Sequence, residues 1–276
     1  MHSADGCPQS LKNSLLKAID GPYSRLVTKI KVIRKTAVDN LREPIMVSGL
    51  PDSGRVASLV VEHLVKELRA TSFVELYSYG LPAQVNINPD GIVDILKHVM
   101  YFWRNPDHGP DLVLHTGDAQ PSSPEAAYSL AEKALEIASS IGVRQMITVA
   151  AFITGEFAEE PKLHVTGTDP ELIAEVQALG AVPIKDGSIT WMNGLMVGLA
   201  RFHGIKAAFI SGETSGFIVD AKAAKAILQL VSKRLGISLD TGALDEQAKE
   251  TQSVVRSLEE FREKARQEKH GKGYIR

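Results

Sequence analysis

From about residue 26 to residue 240 the chain alternates short apolar runs with longer amphipathic stretches. Leu26 to Ile33 is rich in β-branched residues with Lys29 and Lys31 interleaved, the pattern of a strand at a sheet margin where one face or edge meets water. Pro44-Ile-Met-Val-Ser48 reads as a strand and Gly49-Leu-Pro-Asp-Ser-Gly54 as the loop that follows it. Arg55 to Arg69 then reads as a helix, because Leu59, Val60, His63, Leu64 and Leu68 recur at spacings of three and four. Phe73 to Tyr79 and Gly91 to Leu96 predict further strands. Asp111 to His115 is a short apolar run leading into Thr116-Gly-Asp-Ala-Gln-Pro121, after which Ser123 caps a helix to about Ile141. Val143 to Phe152 and Lys162 to Thr166 predict strands. Asp169 and Pro170 open a helix as cap and first helical residue, and Gly180 closes it. Met192 to Phe202 predicts a buried helix, Ile205 to Ser211 a strand, and Ala221 to Leu235 an amphipathic helix ended by Gly236. Such alternation specifies an α/β protein: a three-layer α/β/α sandwich whose sheet is largely parallel or mixed, with helices on both faces.

The flanks differ. Residues 1–25 show no sustained period and contain Gly6, Pro8, Gly21 and Pro22, which predicts a loosely ordered extension ahead of a single domain at 26–240. Beyond Thr241 the composition turns to Glu, Lys, Gln and Arg over a narrow apolar seam of Leu244, Ala248, Val255, Leu258 and Ala265. One charged helix over 241–270 is expected, packed on the domain or on a second copy, and then a mobile tail at 271–276.

With 31 Lys plus Arg against 33 Asp plus Glu, the formal net charge of −2 supplies no field that would draw the chain to nucleic acid or to an anionic membrane. Cys7 is the single cysteine, which fits a reducing compartment. Lys12, Asn13 and Lys17 interrupt Ser10 to Ile19, so no secretory signal is read there. The most apolar region, Met192 to Ile210, carries Arg201, His203 and Lys206, which are costly at a bilayer centre. A soluble, cytoplasmic protein without nucleic-acid or membrane partners is expected.

Three loops follow predicted strands and would gather where open α/β sheets bind ligands. They nominate Gly49, Asp52 and Gly54, then Gly117, Asp118 and Gln120, then Glu213 and Thr214 as the lining of one crevice for a small phosphate or carboxylate ligand. The same residue types also serve simply as turns and helix caps. Gly49 to Gly54 has the GxxxxG spacing of a phosphate-cradling loop, but Arg55 and Val56 stand where a nucleotide loop needs Lys and a magnesium-ligating Ser or Thr. Gly212-Glu-Thr-Ser-Gly216 puts threonine where a nucleophile elbow needs serine. The eight histidines show no metal-ligand spacing, so no catalytic residue, metal site or cofactor is assigned.

Taken together, Gly49 to Gly54 with its helix, Gly117-Asp-Ala-Gln-Pro121 after an apolar strand, Gly187 to Leu195 and Gly212-Glu-Thr resemble the proteasome assembly chaperone family, archaeal members included. Many of its members are known only as uncharacterised proteins related to the ATP-grasp superfamily. The resemblance spans about Leu26 to Leu235 and implies a phosphorylase-like sandwich acting as a non-catalytic, homo-oligomeric chaperone of proteasome α-subunits or the core particle. Some members dock on α-subunit pockets with a C-terminal hydrophobic residue, tyrosine, any residue motif. Here Tyr274, Ile275 and Arg276 put the tyrosine third from the end, one position early, which displaces the terminal carboxylate by roughly 3.5 Å in an extended chain. The alternative is an enzyme or small-ligand receptor that uses the loop crevice; a further one is a structural oligomer that uses the tail only for self-assembly.

Overall fold

The computed structural model describes residues 29–253 and 255. Among the described residues there are eleven strands: β1 (Ile30–Arg34), β2 (Ile45–Ser48), β3 (Thr71–Ser78), β4 (Val85–Ile87), β5 (Val93–Ile95), β6 (His98–Trp103), β7 (Leu112–Gly117), β8 (Gln145–Ile153), β9 (Leu163–Gly167), β10 (Val182–Pro183) and β11 (Lys206–Thr214). Nine of them form one sheet in the order β1-β3-β6-β7-β2-β8-β11-β9-β10. Its centre, β7, β2, β8 and β11, is parallel. On one side β6, β3 and β1 add in antiparallel succession, and on the other β9 runs against β11 with β10 parallel to β9. The sheet is therefore mixed around a parallel centre, and β1 lies at its margin as its lysines predict.

Helices α1 (Val56–Glu67), α2 (Pro124–Ser140), α3 (Pro170–Ala178), α4 (Trp191–Ala200), α5 (Ala221–Leu235) and α6 (242–253) cover both faces. Apolar residues of α1, α3, α5 and α6 pack with Val47, Ile147, Val149 and Ile210 on one face. Those of α2 and α4 pack with Met46, Val113, Met146 and Phe209 on the other. Because the central strands are buried on both faces, their side chains are largely apolar without alternation, which is why Ile45 to Val47 reads as a continuous run and Met146 to Val149 as a run broken by Thr148 alone. The caps follow the sequence: Ser123 Oγ accepts from Ala126 N at 3.3 Å, Asp169 Oδ1 accepts from Leu172 N at 3.0 Å, and Gly236 ends α5 at φ 67°.

Several elements differ from the sequence reading. The strand expected at 91–96 pairs with β4 as a separate two-stranded hairpin, outside the main sheet. β4, β6 and β10 were not anticipated. The helix expected to Phe202 stops at Ala200, and Arg201–His203 form a 3-10 turn that leaves Phe202 exposed before Gly204 reverses the chain at φ 66°. Of the charged helix expected over 241–270, residues 242–253 are helical, and nearly all of the remainder lies outside the described residues. The 1–25 extension and the 271–276 tail lie outside the described residues.

Candidate functional site

Since β7, β2, β8 and β11 are parallel, the loops after β2, β7 and β11 emerge at one edge of the sheet. The loop after β2 is held from below by backbone: Gly49 N donates to His115 O at 3.0 Å, and Thr116 Oγ1 donates to Gly49 O at 2.8 Å. Asn193 of α4 closes the other side, its Oδ1 accepting from Leu50 N at 3.0 Å and its Nδ2 donating to Leu50 O at 3.1 Å. Asp52 then turns its carboxylate back under the start of α1. One oxygen accepts from Ala57 N at 3.1 Å and the other from Ala151 N at 2.6 Å. The N-terminus of a helix attracts an anion through its free N–H groups. Here the loop supplies that anion itself. Burial pushes the Asp52 carboxyl up to about 6, against the N–H donors of Ala57 and Ala151, which pull it down.

The remaining nominated residues are also engaged with their own chain. Asp118 Oδ2 accepts from Lys97 N at 2.8 Å, and Gln120 Oε1 accepts from Met192 N at the start of α4 at 3.2 Å. Thr214 Oγ1 donates to Asp220 Oδ2 at 2.7 Å, while the other oxygen of Asp220 caps α5 through Ala223 N at 3.0 Å. Gly54 joins this group, because its carbonyl accepts from Asp220 N at 2.8 Å. Glu213 is the next residue along β11 and so faces the opposite side of the sheet from Thr214. It accepts from His164 Nε2 at 3.0 Å, and the His164 ring stacks on Phe152 at 4.2 Å between centroids. The structure thus brings Gly49, Asp52, Gly54 and Thr214 together at the α1 and α5 side. Asp118 and Gln120 belong to the α2 and α4 side, and Glu213 stands apart with His164.

Sequence reasoning missed a buried polar chain beneath this edge. His98, His115 and Ser48 are each fully buried. His98 Nε2 lies 2.9 Å from Ala119 O, a carbonyl that can only accept, so Nε2 carries hydrogen. His98 Nδ1 then accepts from His115 Nε2 at 3.3 Å, and His115 Nδ1 accepts from Ser48 Oγ at 2.9 Å. With both imidazoles held neutral by burial, that carbonyl fixes the order of protons along the chain. Burial holds His98 down at about 4 and His115 well below the ordinary histidine range. A serine beside a histidine can be a nucleophile, but Ser48 is closed off from solvent under Met196 of α4. The chain orders the core here. Its signal was the pair of histidines at the ends of apolar runs, His98 and His115. Among the described residues, no group of three or more His, Cys, Asp and Glu is placed to hold a metal ion. No described helix is long and apolar enough to cross a membrane.

Comparison with known proteins gives a consistent picture. The sequence model of the PAC2 family matches residues 46–259. An uncharacterized protein of Methanocaldococcus jannaschii is 30% identical over 237 residues, 85% of this chain and 91% of its own. PbaB of Pyrococcus furiosus, an archaeal proteasome activator, superposes with a TM-score of 0.77 at 35% identity, over 84% of this chain and 99% of that one. PbaA of Pyrococcus furiosus, an archaeal homolog of proteasome-assembly chaperone, superposes at 0.69 with 22% identity, over 87% and 96% of the two chains, a likeness of fold.

Proposed function

Because the chain belongs to the PAC2 family, we propose that it is a proteasome-assembly-chaperone-like binding protein that engages proteasome α-subunits or the assembled core particle. The observation that carries this reading is the 35% identity to an archaeal proteasome activator across 99% of that protein's chain. The state of the sheet edge supports binding over turnover. Asp52, Asp118, Gln120, Glu213 and Thr214 each have a partner within the chain, so a substrate there would have to displace contacts that hold the loops and cap α1 and α5. The reading includes self-association, a cytoplasmic setting, and Tyr274, Ile275 and Arg276, outside the described residues, as the expected contact.

Surface plasmon resonance with immobilised proteasome α-subunits, or with the core particle, tests the proposal. The full chain is expected to bind, and a chain lacking Gly273 to Arg276 to bind at least tenfold more weakly, about 1.4 kcal/mol or more. Equal binding by both would move the contact to the folded domain. Absence of binding by either form, to subunits and to core particle alike, would overturn the proposal.

A further inference from the structure

The main sheet has two margins, and they are built differently. At one, β10 is only Val182 and Pro183, and so short a strand with a proline offers little to pair with. At the other, β1 runs from Ile30 to Arg34 without glycine, proline or a break in register, and among the described residues it pairs with β3 alone. Lys35 N donates to Phe73 O at 2.8 Å, and an antiparallel ladder alternates along each strand. Lys31 and Ile33 therefore turn their backbone groups toward β3, while Ile30, Val32 and Arg34 turn their N–H and C=O groups outward to a free edge. The side chains along this edge are basic. Lys29, Lys31, Arg34 and Lys35 are all exposed, and no acidic residue occurs from Lys29 to Val38. Among the described residues only Lys35 of these four meets a carboxylate, that of Glu75 at 3.2 Å.

We propose that the β1 edge binds an extended acidic peptide of a partner protein as an added strand. The outward backbone groups supply the hydrogen bonds, and the alternation of β1 selects the sequence. Ile30 and Val32 pack with the α2 and α4 layer, so Lys29 and Lys31 lie on the opposite face, where Lys31 stands across from Tyr77. Residues directly opposite in a pair of strands share a face, so the added strand carries Asp or Glu across from Lys29 and Lys31 and apolar residues between them. Past the end of β1, a cavity of about 330 Å³ lined by Arg34, Thr36, Val38, Phe73 and Ile141 gives one further side chain an apolar floor beside a guanidinium. Charge also decides between occupants. A second copy of this edge would set lysine and arginine against lysine and arginine, which is how edge lysines keep like edges apart, whereas an acidic strand neutralises them. The chain as a whole, at −2, has no general attraction for an acidic peptide, so the selection is local to this edge. The proposal is independent of proteasome binding and of the C-terminal residues.

Fluorescence anisotropy tests it, with the full chain titrated into a labelled peptide of about six residues, an ordinary strand length, that alternates glutamate and valine. Saturable binding with a Kd below about 1 mM is expected. A peptide alternating lysine and valine is expected to bind at least about tenfold more weakly, and so is the glutamate peptide N-methylated at every residue, which keeps its charge but cannot donate hydrogen bonds. Lys29→Glu combined with Lys31→Glu should weaken binding by a similar factor, and Lys185→Glu, beyond the other margin, should leave it within about twofold. Val32→Pro removes an outward N–H without removing a bond to β3, and should also lose about tenfold. Thermal unfolding checks that each variant is folded, and the N-methylated peptide makes the same test on the unaltered chain. No saturable binding of the glutamate peptide would overturn the proposal. Equal binding of the N-methylated peptide would overturn strand addition, and equal binding by the folded Lys29→Glu, Lys31→Glu chain would overturn the β1 edge as the site.

Discussion

A Cβ added at Gly49 would stand 2.5 Å from the Ala57 carbonyl oxygen, 2.8 Å from Val149 Cγ2 and 2.9 Å from Val61 Cγ2. Backbone on one side and buried valines on the other cannot all retreat, so Gly49 is required by the close approach of α1 to the sheet. Gly54 answers a different need, a φ of 73° beside Thr214 and the carbonyl of Ile218. Gly49→Ala is expected to destabilise the protein by about 2 kcal/mol or more, as overpacking of a tight core does. Urea unfolding with an unchanged m-value would show it; a loss under about 0.5 kcal/mol would mean that α1 can shift outward at little cost. The two glycines and their spacing were visible in the sequence, but their reason was not. Spacing shows where a loop can bend, whereas the groups that crowd it here come from Ala57, Val61 and Val149. The same is true of Asp52, whose second partner, Ala151, is 99 residues away.

At the scale of elements, legibility followed how local the determinants are. Ser123, Asp169 and Gly236 act on residues three or four positions away, and the helices they bound were placed to within a few residues. β6 depends on neighbours on both sides: Met100 packs with the α2 and α4 layer while Tyr101 and Trp103 pack with the α1 and α5 layer. A short apolar run of that kind does not declare itself as strand or helix. Asp220 joins the two modes. It caps α5 locally and also ties the loop after β11 to the loop after β2, through Thr214 and Gly54 O. Asp220→Ala is expected to cost about 2–3 kcal/mol, a lost cap together with a buried hydroxyl left without its acceptor. Thr214→Val in that background should add less than it does alone, by about 1 kcal/mol, in a double-mutant cycle of urea unfolding. Strict additivity would show that the Thr214 to Asp220 bond contributes nothing to the join.

Across the whole molecule, the parallel centre and its two covered faces followed from the alternation of elements, and that rule also placed the three loops at one edge. It did not show that their side chains turn inward, because partners such as Leu50 and Asn193 meet across 143 residues. Those inward polar groups give the fold a pH dependence with two opposed parts. His98, held at about 4, and His115, held well below the ordinary histidine range, stay neutral in the folded protein, whereas in the unfolded chain they take up protons as pH falls through 6.5. Each therefore removes stability at about 1.4 kcal/mol per pH unit below that point. Asp52 acts the other way. Its folded value of about 6 lies above 3.8, so between these limits the folded state binds the proton more tightly and stability rises as pH falls, by a similar amount per unit. Two losses against one gain leave a net decline of about 1.4 kcal/mol per unit below pH 6. Asp52→Asn removes the gain, so its stability should fall about twice as steeply, whatever the substitution costs at neutral pH. Urea unfolding between about pH 5 and 6.5 reads the slope while Glu75, whose carboxyl is lowered from 4.5 by Lys97 and Lys35 against the effect of burial, stays ionised. An unchanged slope in Asp52→Asn would mean that Asp52 is already a carboxylate throughout that range, with the N–H groups of Ala57 and Ala151 outweighing its burial.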